Sequence, residues 1–209
     1  MKNLFTLYVK DYFPEMAKIT LPNIERYAKK IGANFHLITE RKFPEWPVTY
    51  EKLQIHELGK DADWNIHVDA DMLIHPDFWD VTKASDPRCV SFLHAYDAKE
   101  WFKPDEYFLR DGRERGVTSN FVVVHRMCHD FWTPFDVPFE VAKHGTKRLH
   151  GIDDYCFSRN LAKYGLKDCG ILPNPRYHWQ IVHLCTGGNP QKEIILEHAQ
   201  KVLKDWNLL

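Results

Sequence analysis

Long apolar runs are missing from this chain of 209 residues: no segment approaches the ~20 apolar residues that a membrane span needs. Cysteine is sparse. The five present (Cys89, Cys128, Cys156, Cys169 and Cys185) are odd in number, widely spaced and without a CxxC pair, which argues against a disulfide framework and a zinc knuckle and favours a reducing compartment. An excess of one charge is also missing. Lys and Arg total 28 against 29 Asp and Glu, and a net charge of -1 is too balanced to indicate a nucleic-acid partner, which demands a basic face or stripe, although it leaves room for local basic loops. With 44% apolar and 27% charged residues and no repeat or low-complexity tract, the chain reads as one globular domain over residues 1–209. The apolar run Asn3 to Val9 stops at Lys10-Asp11 and lacks a small-residue cleavage site, so it reads as a first strand and not a signal peptide, and the expected location is cytoplasmic.

What the sequence does have is alternation. Leu4 to Val9 predicts a strand, and Pro14 opens a helix over Glu15 to Lys30, whose Met16, Ile19, Ile24 and Tyr27 suit one face and which Gly32 stops. Asn34 to Thr39 predicts a second strand, which completes a β-α-β unit and implies parallel pairing with a right-handed crossover. A helix from Thr49 to Gly59 leads to a third strand from Trp64, and Pro76 to Trp79 reads as a short helix start. Arg88 to His94 and Thr118 to His125 read as further strands around a long, aperiodic segment, Ala95 to Gly116, of the kind that is often functional. Gly151 to Tyr164 predicts a helix closed by Gly165, Lys167 to Pro173 and Tyr177 to Leu184 final strands, and Pro190 to Trp206 a terminal amphipathic helix. The expected fold class is an α/β sandwich with ligands at the carboxyl ends of the strands.

The most informative stretch is Trp64 to Ile74, an apolar run interrupted by Asp69-Ala70-Asp71. In extended chain these two carboxylates point the same way, about 7 Å apart along the backbone. Two anions held so close call for a cation, and oxygen ligands at a strand end favour a hard divalent ion such as Mg²⁺ or Mn²⁺ with positions left for substrate phosphate.

The order of several further pieces resembles the nucleotide-sugar glycosyltransferases of the GT-A fold along most of the chain. Thr6-Leu7-Tyr8-Val9 resembles the first strand that frames the nucleoside, Thr49-Tyr50-Glu51-Lys52-Leu53 the helix with a donor-binding lysine, and His67 to Ile74 the metal motif with its apolar flanks. Ser119-Asn120-Phe121 is similar to the Asn-containing strand near the donor sugar, without the glycine of the usual Asn-x-Gly. Gly151-Ile152-Asp153-Asp154 resembles the acidic segment at the reacting centre, and His183 to Lys192 the terminal His-x-x-Gly-x-x-Lys block with extra residues in its spacing.

The resemblance implies a Rossmann-like α/β/α sandwich with a mainly parallel central sheet. It further implies a metal-dependent transfer of a sugar from a nucleoside diphosphate, a UDP-sugar, to an acceptor glycan or other hydroxyl-bearing molecule. Asp69, Asp71 and His183 would hold the metal, with the imidazole tilting the preference to Mn²⁺ over Mg²⁺. Thr6, Tyr8, Lys52, Asp69, Asn120 and Lys192 would bind the donor. Asp153 or Asp154 would act as the catalytic carboxylate. As an in-line base it would invert the anomeric centre, whereas the terminal block points to retention, so the stereochemistry stays open. The same scaffold could instead serve a non-catalytic nucleotide- or glycan-binding module. An Asp-x-Asp at a strand end also occurs in phosphatases of the haloacid dehalogenase type, where Asp69 would be the nucleophile.

Lesser expectations concern Arg110, Arg113 and Arg115 as a loop closing on a diphosphate, and Trp46, Trp101, Trp132 and Trp179 as sugar platforms. His125, Cys128 and His129 have a zinc-like flavour without a second pair at metal spacing.

Overall fold

The computed structural model describes residues 1–9, 12–103, 106–171, 179–184 and 191–208. In chain order the elements are β1 (Lys2–Leu7), α1 (Pro14–Lys30), β2 (Asn34–Ile38), a 3-10 turn (Val48–Gln54), α2 (Ile55–Leu58), β3 (Trp64–Val68) and β4 (Met72–Ile74). Next come α3 (Val81–Ala84), β5 (Cys89–Phe92), β6 (Ala95–Asp97), α4 (Ala98–Trp101), α5 (Glu106–Asp111), β7 (Arg115–Val117) and β8 (Phe121–His125). The last are α6 (Phe139–Ala142), α7 (Ile152–Lys163), β9 (Lys167–Gly170), β10 (Ile181–His183) and α8 (Lys192–Asp205).

The central sheet has six strands in the order β2-β1-β3-β8-β5-β9, and all but β8 run the same way. Successive side chains alternate between its faces, and the residues obey that period. Leu4, Ile66, Val68, Phe121 and Val123 pack with Ile24, Tyr27 and Ala28 of α1, while Phe5, Val90, Val122 and Val124 pack with Ile152, Cys156, Phe157 and Leu161 of α7. Both faces are covered, which gives the expected three layers with a mainly parallel centre. A third cluster seats α8 on α1 through Phe13, Met16, Ile195, Ala199 and Leu203.

Local signals set several boundaries. Pro14 occupies the first turn of α1, Glu15 and Lys29/Lys30 complement its dipole, and Gly32 at φ +68° ends it in the left-handed region that a side chain would disfavour.

Three stretches differ from expectation. The helix read over Thr49 to Gly59 is the 3-10 turn followed by only one turn of α2, because Tyr50, Glu51, Lys52, Leu53 and Gln54 are all drawn inward. Such all-round burial needs no 3.6-residue period. The helix start read at Pro76 is a turn, and the helical turn begins at Val81, capped by Asp80. Residues 95–116 hold the two-stranded ribbon β6–β7 and the short helices α4 and α5, elements too brief to leave a period in the sequence. The final strands keep only Lys167–Gly170 and Ile181–His183 among the described residues, and the rest of those two readings, 172–178, lies outside them. No helix among the described residues is long and apolar enough to cross a membrane.

Candidate functional site

The apolar run from Trp64 to Ile74 is not one strand. It breaks at Asp69-Ala70-Asp71, where the Met72 N–H donates to the Asp69 carbonyl at 3.2 Å and closes a tight turn. The carboxylates therefore converge by a turn and not by extended alternation. Neighbours pin this turn from every side. The Asp69 N–H donates to the Asn120 carbonyl at 2.8 Å, the Thr20 hydroxyl donates to the Ala70 carbonyl, and the Leu184 N–H donates to the Asp71 carbonyl at 2.9 Å. On α1, Asn23 pairs with both the N–H and the C=O of Ile74, at 2.8 and 3.1 Å, and so acts as a stand-in strand.

β4 leaves the main sheet to pair with β10, His183 opposite Met72, and this brings the imidazole to Asp71 from far downstream. Asp69, Asp71 and His183, all partly buried, can each offer a ligand atom within 4.8 Å of the others. His183 Nε2 lies 3.2 Å from Asp71 Oδ2. Burial works against an imidazolium there, but the hydrogen bond and charge of Asp71 and the charge of Asp69 outweigh it, so the His183 pKa is raised. The donor set fits a divalent ion: two hard carboxylates and an imidazole, with coordination positions left for substrate. A proton and a metal would compete for the same imidazole nitrogen, so loading releases protons.

Behind this cluster lies a second, interior one. The Lys52 ammonium, only 4% exposed, contacts Asp69 Oδ1 at 2.8 Å and Asp153 Oδ2 at 3.0 Å and donates to Ser119 Oγ at 2.8 Å. An ammonium has three hydrogens, and all are spent inside the protein. Burial opposes its charge, yet Asp153, Asp69 and Asp154 outweigh that and hold its pKa above the ordinary lysine value.

Ser119 is the residue that sequence reasoning passed over. Its hydroxyl donates to Asp153 Oδ2 at 2.8 Å, its N–H donates to Asp154 Oδ1 at 2.8 Å, and its carbonyl lies 2.8 Å from His67 Nδ1. A carbonyl only accepts, so Nδ1 carries the proton and Nε2 a lone pair. That Nε2 is buried without a hydrogen-bond partner, 3.7 Å from Asp69 Oδ1. Burial and the Lys52 charge push the His67 pKa down to about 4, which keeps the ring neutral. The only sequence signal for this node was the position of Ser119 just before Asn120.

Asp153 and Asp154 open α7 next to each other and have different surroundings. Asp153 is 2% exposed and committed to Lys52 and Ser119. For Asp154, burial of the carboxyl and the charge of Asp153 raise the pKa well above the usual carboxylate range, against the pull of Lys52 and the Ser119 N–H.

The remaining sequence candidates are spread more widely. Thr6 is fully buried within β1, its hydroxyl without a partner, and is not presented at the sheet edge. Tyr8 lies just past β1, half-buried, its N–H on the Ile38 carbonyl at 2.9 Å. Asn120 Oδ1 accepts from Thr118 Oγ1 at 3.0 Å and from the Phe121 N–H at 2.8 Å, which shapes the entry to β8. Lys192 is exposed at the head of α8 with its ammonium 5.1 Å from the Phe13 ring centre, and Gly187 and Gly188 before it lie outside the described residues.

Arg113 is tied to Asp111, Asp168 and the Leu166 carbonyl, so it braces α5 against β9 and is not a free loop cation. Trp132 is core, Trp46 stacks on Tyr50 at 3.9 Å, Trp101 lies under Arg148 at 4.2 Å, and Trp179 packs against His75. His125, Cys128 and His129 make separate local contacts, and among the described residues the metal-competent group is the Asp69, Asp71 and His183 set alone.

No family model matches the chain, and no curated protein matches it. Solved structures do. The chain is similar to a glycosyltransferase involved in the glycosylation of the major capsid of PBCV-1, with a TM-score of 0.53 and 14% identity over 95% of this chain and 99% of that one. It is similar to the galactosyltransferase LgtC, solved in complex with donor and acceptor sugar analogs, with a TM-score of 0.55 and 12% identity over 99% and 96% of the two chains. The bifunctional glycosyltransferase WbbM also aligns, with a TM-score of 0.51 and 10% identity, over 97% of this chain but 51% of its own. At these identities the likeness establishes the fold, GT-A.

Proposed function

We propose that the protein is a metal-dependent glycosyltransferase that moves a sugar from a nucleoside diphosphate sugar, by preference a UDP-sugar, to an acceptor hydroxyl. The observation that carries this reading is the convergence of Asp69, Asp71 and His183 at the carboxyl edge of a GT-A sheet. A divalent ion bound there, Mn²⁺ or Mg²⁺, would neutralise charge on the departing diphosphate.

The rest of the work falls to the chain. Asp71 and His183 bring ligand atoms within 4.8 Å of Asp69, one oxygen of which is already held by Lys52. Lys52 thus positions Asp69 and does not itself bind donor. Tyr8 flanks the nucleoside, Asn120 faces the donor sugar, and Lys192 at the start of α8 meets the β-phosphate. Asp153, spent on Lys52 and Ser119, is a structural partner. Asp154 is the carboxylate that takes the proton of the acceptor hydroxyl, and its raised pKa suits a general base.

Asp71→Ala tests the reading. Calorimetry should show loss of Mn²⁺ binding, and Mn²⁺-dependent turnover of a UDP-sugar should fall by at least ~100-fold, about 2.7 kcal/mol of transition-state stabilisation, with the melting temperature kept. Undiminished turnover overturns the metal role. If the wild-type protein binds UDP and Mn²⁺ but neither hydrolyses nor transfers any sugar, the scaffold is a binding module and not an enzyme.

A further inference from the structure

An open cleft of about 460 Å³ runs along the ribbon β6–β7, lined by Ala95, Tyr96, Asp97, Glu114 and Arg115. Its volume falls within the roughly 300–1,000 Å³ typical of ligand sites. The position is as informative as the size. The ribbon rises from the carboxyl edge of the sheet between the end of β5 and the start of β8, and its base is closed by the Thr118 N–H on the His94 carbonyl at 3.0 Å. The next residue is Ser119, which holds Asp153 and Asp154.

α7 runs alongside, with Ser158 Oγ accepting from the Val117 N–H at 3.0 Å. Asp154 and Ser158 are four residues apart and so are neighbours on one helix face, about 6 Å from each other. The Tyr96 hydroxyl is buried beside that face: burial and the charges of Asp154 and Asp153 hold its phenol above the ordinary value, while Ser158 pulls the other way. The helix that carries the acidic pair thus packs along β7 of the ribbon, and Ser119, which holds the pair, follows directly on the ribbon's base.

The lining chemistry is that of a polyhydroxyl site. Asp97 and Glu114 are exposed acceptors, Arg115 an exposed multiple donor, and the Tyr96 ring a flank for a sugar face. Asp97 spends one oxygen on the Lys99 N–H, and Glu114 stands 3.8 Å from the Lys99 ammonium, so both retain acceptor capacity. Asp97 and Glu114 are balanced by Arg115 and the Lys99 ammonium, so the cleft carries no net charge to draw a phosphorylated or acidic ligand.

We propose that this cleft seats the acceptor, a neutral oligosaccharide, and directs its reacting hydroxyl past Tyr96 to Asp154. This rests on the glycosyltransferase reading. In the transfer, the hydroxyl oxygen bonds to the anomeric carbon as the bond from that carbon to the diphosphate oxygen breaks. The electron pair leaves with the nucleoside diphosphate, and the hydroxyl proton passes to Asp154.

Saturation-transfer NMR on the full chain with UDP and diamagnetic Mg²⁺ tests the cleft, with lactose, cellotriose and maltotriose as neutral probes and 3′-sialyllactose as the acidic one. The neutral probes should receive saturation, and the acidic one should not displace them. Ala95→Trp, which fills the cleft from an exposed position, and the double variant Glu114→Ala with Arg115→Ala should each weaken neutral-glycan binding by about tenfold. Unchanged binding in both variants, no saturation of any neutral probe, or preference for sialyllactose overturns the proposal. Hydrolysis of a UDP-sugar by the wild-type protein reads the parent function separately. Hydrolysis without cleft binding sinks only the cleft, and glycan binding without UDP binding or hydrolysis sinks only the enzyme.

Discussion

Two acidic clusters meet at Asp69 and use the same residue types for opposite ends. On the outer side, Asp69, Asp71 and His183 converge while partly buried, each able to offer a ligand atom within 4.8 Å of the others. On the inner side, Lys52, Ser119 and Asp153 are buried and satisfy one another at 2.8–3.0 Å. The contrast separates a candidate metal ligand from a structural partner. The difference is not the residue type or the nearness of another acid, but whether the carboxylate stands partly buried beside other ligand atoms or fully buried against a counter-ion and a hydroxyl. Asp69 belongs to both clusters, so the inner one can aim the outer one.

Breaking the inner cluster at its cation should have the largest effect. Lys52→Met leaves Asp153 buried without its counter-ion, a class of change that costs about 3–5 kcal/mol, read as a lowered urea midpoint. A loss under about 1 kcal/mol would mean that the ammonium balances nothing.

Ser119→Ala is gentler. It removes the hydroxyl from between Lys52 and Asp153 but leaves its two backbone contacts in place, so the expected cost is about 1–3 kcal/mol by denaturant titration. Ser119→Thr should restore most of it. Equal losses in both variants would place the effect in packing and not in the hydrogen bonds.

The smallest effect depends on pH. Because the pKa of Asp154 is raised on folding, the stability linked to its protonated form is complete below the unfolded value of about 3.9 and is lost as pH rises through the folded value. Asp154→Asn stays neutral throughout. It should melt higher than the wild-type protein at pH 8, by roughly 2–4 °C for each kcal/mol of relieved burial cost and repulsion, and the gap should close near pH 3. A gap independent of pH would detach it from ionisation.

The layered fold was legible because its signals are local. The apolar runs Leu4 to Val9 and Phe121 to His125, the apolar face of Met16, Ile24 and Tyr27, and the Pro14 and Gly32 boundaries each depend on a few neighbouring residues. The 3-10 turn at Val48–Gln54 was not, since a segment buried on all sides shows no period. Within the site, Asp69 and Asp71 stood out because two acids interrupt an apolar run. That the Thr6 hydroxyl is fully buried was not legible, because nothing in the sequence tells a buried strand hydroxyl from one at the edge.

By itself, then, the sequence determined the order of strands and helices and the place where acidic groups would gather, since backbone propensity and hydrophobic period act over short stretches of chain. Tertiary structure alone decided which of those groups are spent. Lys52 reaches Ser119 and Asp153 across 67 and 101 positions, and His183 reaches Asp71 across 112. Hydrogen-bond satisfaction in a buried space is settled only when the distant partners have arrived.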